Sequence, residues 1–319
     1  MKTTAKDMLL GVAIGDALGV PYEFNSREKM QAFPATDMTG DGTHHQPAGT
    51  WSDDSSLTFC LAEALLEPYS LVAVAQKFVN WRNMAYWTAR HEVFDIGLTT
   101  TRAISRLESI LAEKRFEALK LLKYEAEEYD NGNGSLMRIL PLVFELFNKP
   151  LKTQWEIVWD NSALTHRHIR AGMSCMIYLK LAEYLINGTD KHTAYDRTRK
   201  DITTLWEELD FASKERTHFA RVIQTDITTY VEDKILSGGY VIESLEASIW
   251  CLLKTGNYQD AVFRAINFGH DTDTTAAITG GLAGILYGTD QLPLFWLASL
   301  ARMEDIVALG EKLSEKYGF

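Results

Sequence analysis

Apolar residues recur at every third or fourth position through most of this 319-residue chain, and this spacing constrains its fold more than any other feature. Such spacing places the apolar side chains on one face of an α-helix. The same segments are rich in Ala, Leu, Glu and Lys, which favour helices, whereas alternating runs with β-branched residues are scarce. The predicted helical segments are 56–66, 71–82, 103–113, 115–128, 136–147, 172–186, 242–254, 258–268 and 274–287. No low-complexity linker divides the chain, so we predict an all-α fold in a single compact domain over residues 1–319.

Two regions differ from this helical pattern. Residues 25–50 are polar and rich in turn-forming residues, and a loop of this length inside a compact domain is usually functional or mobile. We expect this region to form a flap. Residues 188–235 carry dense charges of both signs around sparse apolar positions, which predicts peripheral charged helices.

Composition limits the partners and the compartment. The chain has 43 acidic and 32 basic residues and a net charge of −11, whereas proteins that bind nucleic-acid backbones usually have a basic surface. We therefore expect no bulk nucleic acid binding, although a small anionic ligand is compatible with this charge. No run approaches the eighteen apolar residues of a membrane span, and the N-terminal run is a poor signal peptide. The three cysteines lie in apolar runs and are expected to be buried free thiols. These features predict a soluble cytoplasmic protein without membrane contact.

Glycines four residues apart predict close helix packing in two places. The two sets are Gly11, Gly15 and Gly19 near the start and Gly280, Gly284 and Gly288 near the end. Four-residue spacing puts each set on one face of a helix, and the absence of side chains lets another helix approach closely. Asp16 interrupts the first set, and a carboxylate on such a helix requires a partner.

Two short acidic segments each precede an apolar helix. The first contains Ser52, Asp53 and Asp54, and the second contains Asp271, Asp273 and Thr274. A serine cap followed by two acidic residues at the positive end of a helix also explains the first segment. The second supplies two carboxylates where a cap requires one, so we expect a cation to offset their burial. Together the segments offer hard oxygen ligands, which suit Mg²⁺ or Mn²⁺ better than zinc.

Five sequence blocks occur in a fixed order over most of the chain. They are GVAIGDALGVPYEF (11–24), GTWSDDSS (49–56), FDIGLTTTR (94–102), GNGSLMRILPL (132–142) and GHDTDTTAAITGGLAG (269–284). In this order they resemble the ADP-ribosylglycohydrolase family, and in particular its dinitrogenase-reductase-activating branch. The resemblance implies an all-α fold with a binuclear metal cleft that holds two divalent cations, Mg²⁺ or Mn²⁺.

The resemblance also implies which residues would bind the metals. By position, the ligands would be Ser52, Asp53, Asp54, Asp271, Asp273 and Thr274. Ser52 stands where the family commonly has threonine, and serine retains the hydroxyl group.

Two carboxylates are implied as catalytic. Asp95 matches the aspartate of the family's F-D-I-G block, which is implicated in cleavage in the arginine-directed bacterial branch. Glu23 matches a flap glutamate that is the acid/base of the serine-directed branch. Without the resemblance, a buried structural aspartate and an ordinary loop glutamate are simpler interpretations. The whole F-D-I-G stretch favours Asp95, although Leu98 replaces the usual asparagine and bears on substrate choice.

A glycine-rich loop is the candidate binding site for the nucleotide. The loop consists of Gly132, Asn133, Gly134 and Ser135, and a predicted helix follows it. Free N–H groups at a helix N-terminus bind phosphate, so the loop is expected to hold the pyrophosphate or the distal ribose. A plain turn with Ser135 as a cap is the alternative. His166 matches a family histidine near the nucleotide, and an ordinary histidine at a helix boundary is the alternative.

Several other polar residues receive no role in the site. His44 and His45 lie in the polar loop and are expected to be solvated. Arg167, His168 and Arg170 are expected at the surface.

We therefore expect a metal-dependent ADP-ribosylhydrolase that cleaves the N-glycosidic bond between ADP-ribose and an acceptor. The expected acceptor is protein arginine, and the product is ADP-ribose. One alternative is a hydrolase of another ADP-ribosyl linkage, to serine, O-acetyl-ADP-ribose, a small molecule or a nucleobase. A non-catalytic ADP-ribose-binding protein and a two-metal phosphoesterase that cleaves the pyrophosphate are the others.

Overall fold

A computed structural model describes residues 5–290 and 292–319 of the chain, and these residues form fourteen α-helices and no β-strand. The helices are α1 (Ala5–Gly19), α2 (Arg27–Ala32), α3 (Asp53–Ala64), α4 (Leu71–Met84), α5 (Leu98–Ala112), α6 (Leu151–Ser162), α7 (Ile169–Ile186), α8 (Lys191–Glu208), α9 (Ser213–His218), α10 (Val241–Lys254), α11 (Tyr258–Ile266), α12 (Thr272–Tyr287), α13 (Leu294–Ser299) and α14 (Met303–Tyr317). Short 3₁₀ helices include Val20–Tyr22, Gly42–His44, Phe116–Tyr124 and Leu140–Glu145. The predicted all-α fold is confirmed.

The centre of the molecule is an antiparallel pair of helices, α1 and α12. Both are buried along almost their whole length, which explains why their sequences are apolar on all sides. A Cβ atom at Gly11 would overlap the carbonyl oxygen of Gly280, and one at Gly15 would overlap that of Ala276. The glycines therefore permit backbone-to-backbone packing that a larger residue would prevent.

The other helices cover this central pair. α14 and α3 pack on α1, whereas α7, α10 and α11 pack on α12. α14 was not predicted, although its buried side chains Ile306, Leu309 and Leu313 have helical spacing. α6 and α13 were also not predicted.

Two predicted α-helices have a different form. Residues 115–128 contain a 3₁₀ helix over Phe116–Tyr124, and residues 136–147 contain a turn and a 3₁₀ helix over Leu140–Glu145. In the second, Pro141 occupies the first turn and lacks the N–H group that a continuous helix would use. Apolar spacing alone does not distinguish the two helix types, because three-residue spacing suits both.

Gly288 and two predicted surface residues also differ from expectation. Gly288 follows the end of α12 with φ of +74°, so it ends that helix and takes no part in the interface with α1.

His168 and Arg170, which were expected at the surface, are buried. Arg170 donates to Glu215 of α9 at 2.7 Å and to Glu128 at 3.2 Å, so these acidic neighbours cover it.

The two regions that differ in composition are structured. Residues 25–50 contain α2 and the 3₁₀ helix Gly42–His44, and residues 188–235 contain α8 and α9. Within the part of the chain that the structure describes, no helix is both long enough and apolar enough to span a bilayer.

Candidate functional site

The acidic segments meet where three helices come together. Because α1 and α12 are antiparallel, the C-terminal half of α1 lies beside the first turn of α12, and Gly19 packs against Asp273. α3 begins at the same place, because Asp16 of α1 binds its first turn. The unpaired N–H groups at the N-termini of α3 and α12 favour negative charge there.

Asp16 is the link between α1 and α3. Its carboxylate accepts hydrogen bonds from Ser52 N at 2.9 Å, Ser55 N at 3.0 Å and Ser55 Oγ at 2.6 Å. Burial raises the pKa of Asp16 to about 6, against the opposing effect of these hydrogen bonds. The expectation that Asp16 has a partner is confirmed, and the partner is the first turn of α3.

The two acidic segments, which lie more than two hundred residues apart in the chain, are in direct contact. Thr274 Oγ1 donates to Asp54 Oδ2 at 3.3 Å, and Ser52 Oγ donates to the same oxygen at 3.0 Å. Ser52 also caps α3 by accepting from the Asp54 amide, so it acts as a helix cap and also lies within the acidic site. The geometry therefore brings together both segments that the sequence singled out.

Asp16, Asp54 and Asp273 form a buried group of carboxylates whose oxygens lie within 4.8 Å of one another. Asp54 Oδ1 and Asp273 Oδ2 are buried and have no hydrogen-bond partner among the described residues. Burial raises the pKa values of both residues well above the usual range, and the neighbouring negative charges add to this effect. Unpaired carboxylate oxygens held together without a cation are costly, so this donor set fits a divalent ion.

A second acidic group adjoins the first. Oxygens of Glu23, Asp271 and Asp273 lie within 4.8 Å of one another, so Asp273 belongs to both groups. Asp53 is also buried, and its pKa is raised well above its usual range by burial and by the charge of Asp95. The sequence interpretation omitted Asp16 from the acidic set, and it named Glu23 as a candidate catalytic residue and not as a member of this set.

His44 joins the two candidate catalytic carboxylates. His44 Nε2 hydrogen-bonds Glu23 Oε2 and lies 3.9 Å from Asp95 Oδ1. The hydrogen bond with Glu23 raises the pKa of His44, and burial raises the pKa of Asp95 to about 7. The expectation that His44 is solvated is therefore wrong, because the 3₁₀ helix Gly42–His44 packs against Val20–Tyr22.

His45, in contrast, is exposed as expected and pairs with Asp41. No sequence signal distinguishes His44 from its neighbour. Only the packing of the polar loop, residues 25–50, places the His44 ring beside Glu23 and Asp95 and leaves the His45 ring exposed.

A cavity opens onto these groups. Its lining consists of Glu23, Phe24, Asp53, Asp95, Gly97, Leu98, Thr99, Thr100, Asn133, Gly134, Met137, His166, Asp271 and Thr274. Two apolar side chains in this lining, Phe24 and Leu98, are 69% and 76% exposed. The cavity thus has an acidic wall on one side and exposed apolar groups at its edge.

Asn133, Gly134 and His166 form a wall of the cavity that adjoins the acidic group. Asn133 Nδ2 donates to Asp271 Oδ2 at 2.6 Å, which ties the glycine-rich loop to the acidic group. The His166 ring lies against Gly134, where a Cβ atom would clash with it. Burial and the nearby Arg138 lower the pKa of His166 to about 3, so the imidazole is neutral.

The remainder of the glycine-rich loop departs from expectation. The Ser135 side chain is fully buried behind the loop, where it accepts a hydrogen bond from Ser162 Oγ at 2.9 Å. The loop continues into a turn over 134–138 and does not begin an α-helix. The helix N-terminus that the sequence predicted directly after this loop is therefore absent.

Comparison with known proteins gives consistent similarities over nearly the whole chain. The family model described as ADP-ribosylglycohydrolase matches residues 2–318. The ADP-ribosylarginine hydrolase Tri1 of Serratia proteamaculans is 32% identical over 97% of this chain and 78% of its own length. The ADP-ribosyl-[dinitrogen reductase] glycohydrolase of Rhodospirillum rubrum is 26% identical over 91% of this chain and 88% of its own length. A solved structure titled "ADP-ribosylglycohydrolase-related protein complex" superposes with a TM-score of 0.77 and 26% identity, covering 99% of this chain and 98% of that chain.

Proposed function

Because the chain belongs to the ADP-ribosylglycohydrolase family, we propose that it hydrolyses the N-glycosidic bond between ADP-ribose and an arginine side chain of a protein. The observation that carries this proposal is the juxtaposition of the buried acidic groups with Glu23, His44 and Asp95 at one cavity. The arginine specificity is supported by similarity to two proteins named ADP-ribosylarginine hydrolase, at 32% and 30% identity.

We propose that two divalent cations, Mg²⁺ or Mn²⁺, bind in the acidic cluster. The residues that would hold them are Ser52, Asp53, Asp54, Asp271, Asp273 and Thr274, with Asp16 and Glu23 beside them. The unpaired oxygens of Asp54 and Asp273 support this assignment. When bound, such cations orient vicinal ribose hydroxyls and offset negative charge in the site.

Asp95 is the proposed general base. A pKa of about 7 lets its carboxylate exchange a proton near neutral pH, as a base requires. Attack of water on the anomeric carbon breaks the C–N bond and forms a C–O bond, and one proton of the water goes to an Asp95 oxygen. The departing guanidine nitrogen must gain a proton. The proposed source is the proton shared in the hydrogen bond between Glu23 and His44, which lie beside Asp95. The negative charges of these carboxylates also stabilise the positive charge that develops on the ribose.

The wall formed by Gly132, Asn133, Gly134, Ser135 and His166 is proposed to bind the nucleotide portion of the substrate. Asn133, Gly134 and His166 line the cavity directly. Ser135 would act through the shape of the loop, because its side chain faces inward. The ADP-ribose is thereby positioned with its distal ribose at the acidic wall.

A mass-resolved hydrolysis assay on arginine-ADP-ribosylated protein tests this function. We expect release of intact ADP-ribose in the presence of Mg²⁺ or Mn²⁺ and no release with chelator. Asp54→Asn should lower turnover about 100-fold or more, whereas Asp233→Asn, at an exposed position, should leave it unchanged. Release from a serine-linked substrate alone would refute the arginine assignment, and cleavage of the pyrophosphate would refute the reaction class.

A further inference from the structure

Arg138 is a fully buried cation without a carboxylate partner in the described part of the chain. Its guanidinium donates to Asn161 Oδ1 at 3.1 Å, to Asn161 O at 3.1 Å and to Thr165 Oγ1 at 2.9 Å. It also lies over the ring of Phe78, 4.5 Å from the centroid. Burying a cation in this way is costly, and these hydrogen bonds offset part of that cost.

The Thr165 hydroxyl connects Arg138 to the cavity wall. It accepts from Arg138, and its oxygen lies 3.1 Å from His166 Nδ1. Thr165 is 1% exposed, and no other acceptor for its proton occurs among the described residues. A buried hydroxyl proton without an acceptor would be costly, so Thr165 donates to Nδ1.

This direction determines the tautomer of His166. A neutral imidazole that accepts at Nδ1 carries its proton on Nε2. Nε2 makes no hydrogen bond within the described residues, and the ring lines the cavity beside Gly132 and Gly134. The histidine therefore presents an unpaired N–H donor at the wall proposed to bind the nucleotide.

We propose that Arg138 and Thr165 are positioning residues that hold His166 as the Nε2-protonated tautomer, which donates a hydrogen bond to an oxygen of the bound nucleotide. The identity of that ligand rests on the proposed function. Phosphate and ribose oxygens accept hydrogen bonds, and the Nε2–H group of neutral His166 can donate to them. A neutral ring does so without placing a second positive charge near Arg138, as a protonated histidine would. The tautomer itself is a property of the free protein and is tested without substrate.

The first measurement is the tautomer of His166 in the free protein at pH 7. Long-range ¹H–¹⁵N correlation spectra of histidine-labelled protein distinguish the two tautomers, and the His166 signals are identified by their loss in His166→Gln. We expect the Nε2-protonated form in the wild type and in Thr165→Ser, and a mixture or the Nδ1-protonated form in Thr165→Val. Thr198→Val removes another buried hydroxyl, in α8, and should leave the tautomer unchanged. A wild-type ring protonated on Nδ1, or an unchanged tautomer in Thr165→Val, would overturn the proposal.

The second measurement is the affinity for ADP-ribose by calorimetry. Thr165→Val should bind about tenfold more weakly, which corresponds to about 1.4 kcal/mol, and Thr165→Ser should bind within about twofold of the wild type. Equal affinity of Thr165→Val and wild type would refute the role in ligand binding. Failure of hydrolysis with ADP-ribose binding intact would refute the proposed function alone. Thr165 is the better probe than Arg138, because an Arg138 substitution would also disturb its packing on Phe78.

Discussion

At the scale of single residues, the site depends on polar groups that are individually costly. Asp54 and Asp273 each bury an unpaired oxygen, and Glu23 and Asp95 are linked through His44. Each arrangement brings like charges together or removes a polar group from water, which lowers stability unless a ligand or a proton compensates. Such concentrations of perturbed groups are typical of functional sites.

Replacement of His44 tests whether it aligns the two carboxylates. In His44→Gln the bridge between Glu23 and Asp95 is lost, so we expect kcat to fall about tenfold or more with KM changed by less than about twofold. The matched control is His45→Gln, because His45 is the adjacent residue and its side chain is 82% exposed. Steady-state kinetics on the arginine-linked substrate measures both. Equal kcat values in the two variants would show that His44 has no such role.

At the scale of secondary-structure elements, the contact between α1 and α12 determines where the site forms. Direct backbone contact at Gly11 and Gly15 sets the register of the two helices. That register places Asp16 beside the first turn of α12, and the hydrogen bonds of Asp16 then position α3. The acidic groups are thus assembled by helix packing and not by a local loop.

Gly15→Ala should destabilise the protein, because the added methyl group would overlap the Ala276 carbonyl in a contact between two backbones. Overpacking of this kind costs about 2 kcal/mol or more. The control is Gly256→Ala, because nothing lies within 4 Å of a Cβ atom there, and it should change stability by less than about 0.5 kcal/mol. Urea unfolding followed by circular dichroism compares the two. Similar stability of both variants would contradict the close approach.

At the scale of the whole molecule, stability is coupled to proton and metal binding. Burial raises the pKa of Asp16 to about 6 and the pKa values of Asp95 and Glu246 to about 7. Unfolded carboxyl groups titrate near pH 4, so the folded protein binds more protons than the unfolded chain up to about pH 7. The stability contributed by these protons is present at low pH and is lost as pH rises through the folded pKa values.

We therefore expect the metal-free protein to lose about 1–2 kcal/mol of unfolding free energy between pH 6.5 and 8. The raised pKa of His44 acts in the same direction. Mn²⁺ or Mg²⁺ should restore more stability at pH 8 than at pH 6.5, because it binds the deprotonated carboxylates. Urea titrations with chelator and with metal measure both effects.

Glu246→Gln provides the control for this pH dependence. Glu246 is buried in α10, where it pairs with Arg221 at 3.1 Å, and it does not belong to the acidic groups proposed to bind metal. The variant should therefore reduce the change of unfolding free energy with pH without changing the effect of metal. A stability that rises from pH 6.5 to 8 in chelator would contradict the expected dependence.

The sequence by itself determined the helical class and the acidic segments, because apolar spacing and helix propensity are local properties. It also identified Asp16 as a residue that requires a partner, since a carboxylate on a small-residue helix cannot remain unpaired. It did not distinguish a 3₁₀ helix from an α-helix around Pro141. It also missed His44, because the next residue, His45, is a histidine as well and yet is exposed to solvent.

Only the tertiary structure decided that Thr274 contacts Asp54 and that Arg138 reaches His166 through Thr165. These contacts join residues distant in the chain or depend on the direction of a buried side chain, and the packing of the helices and turns against one another determines both.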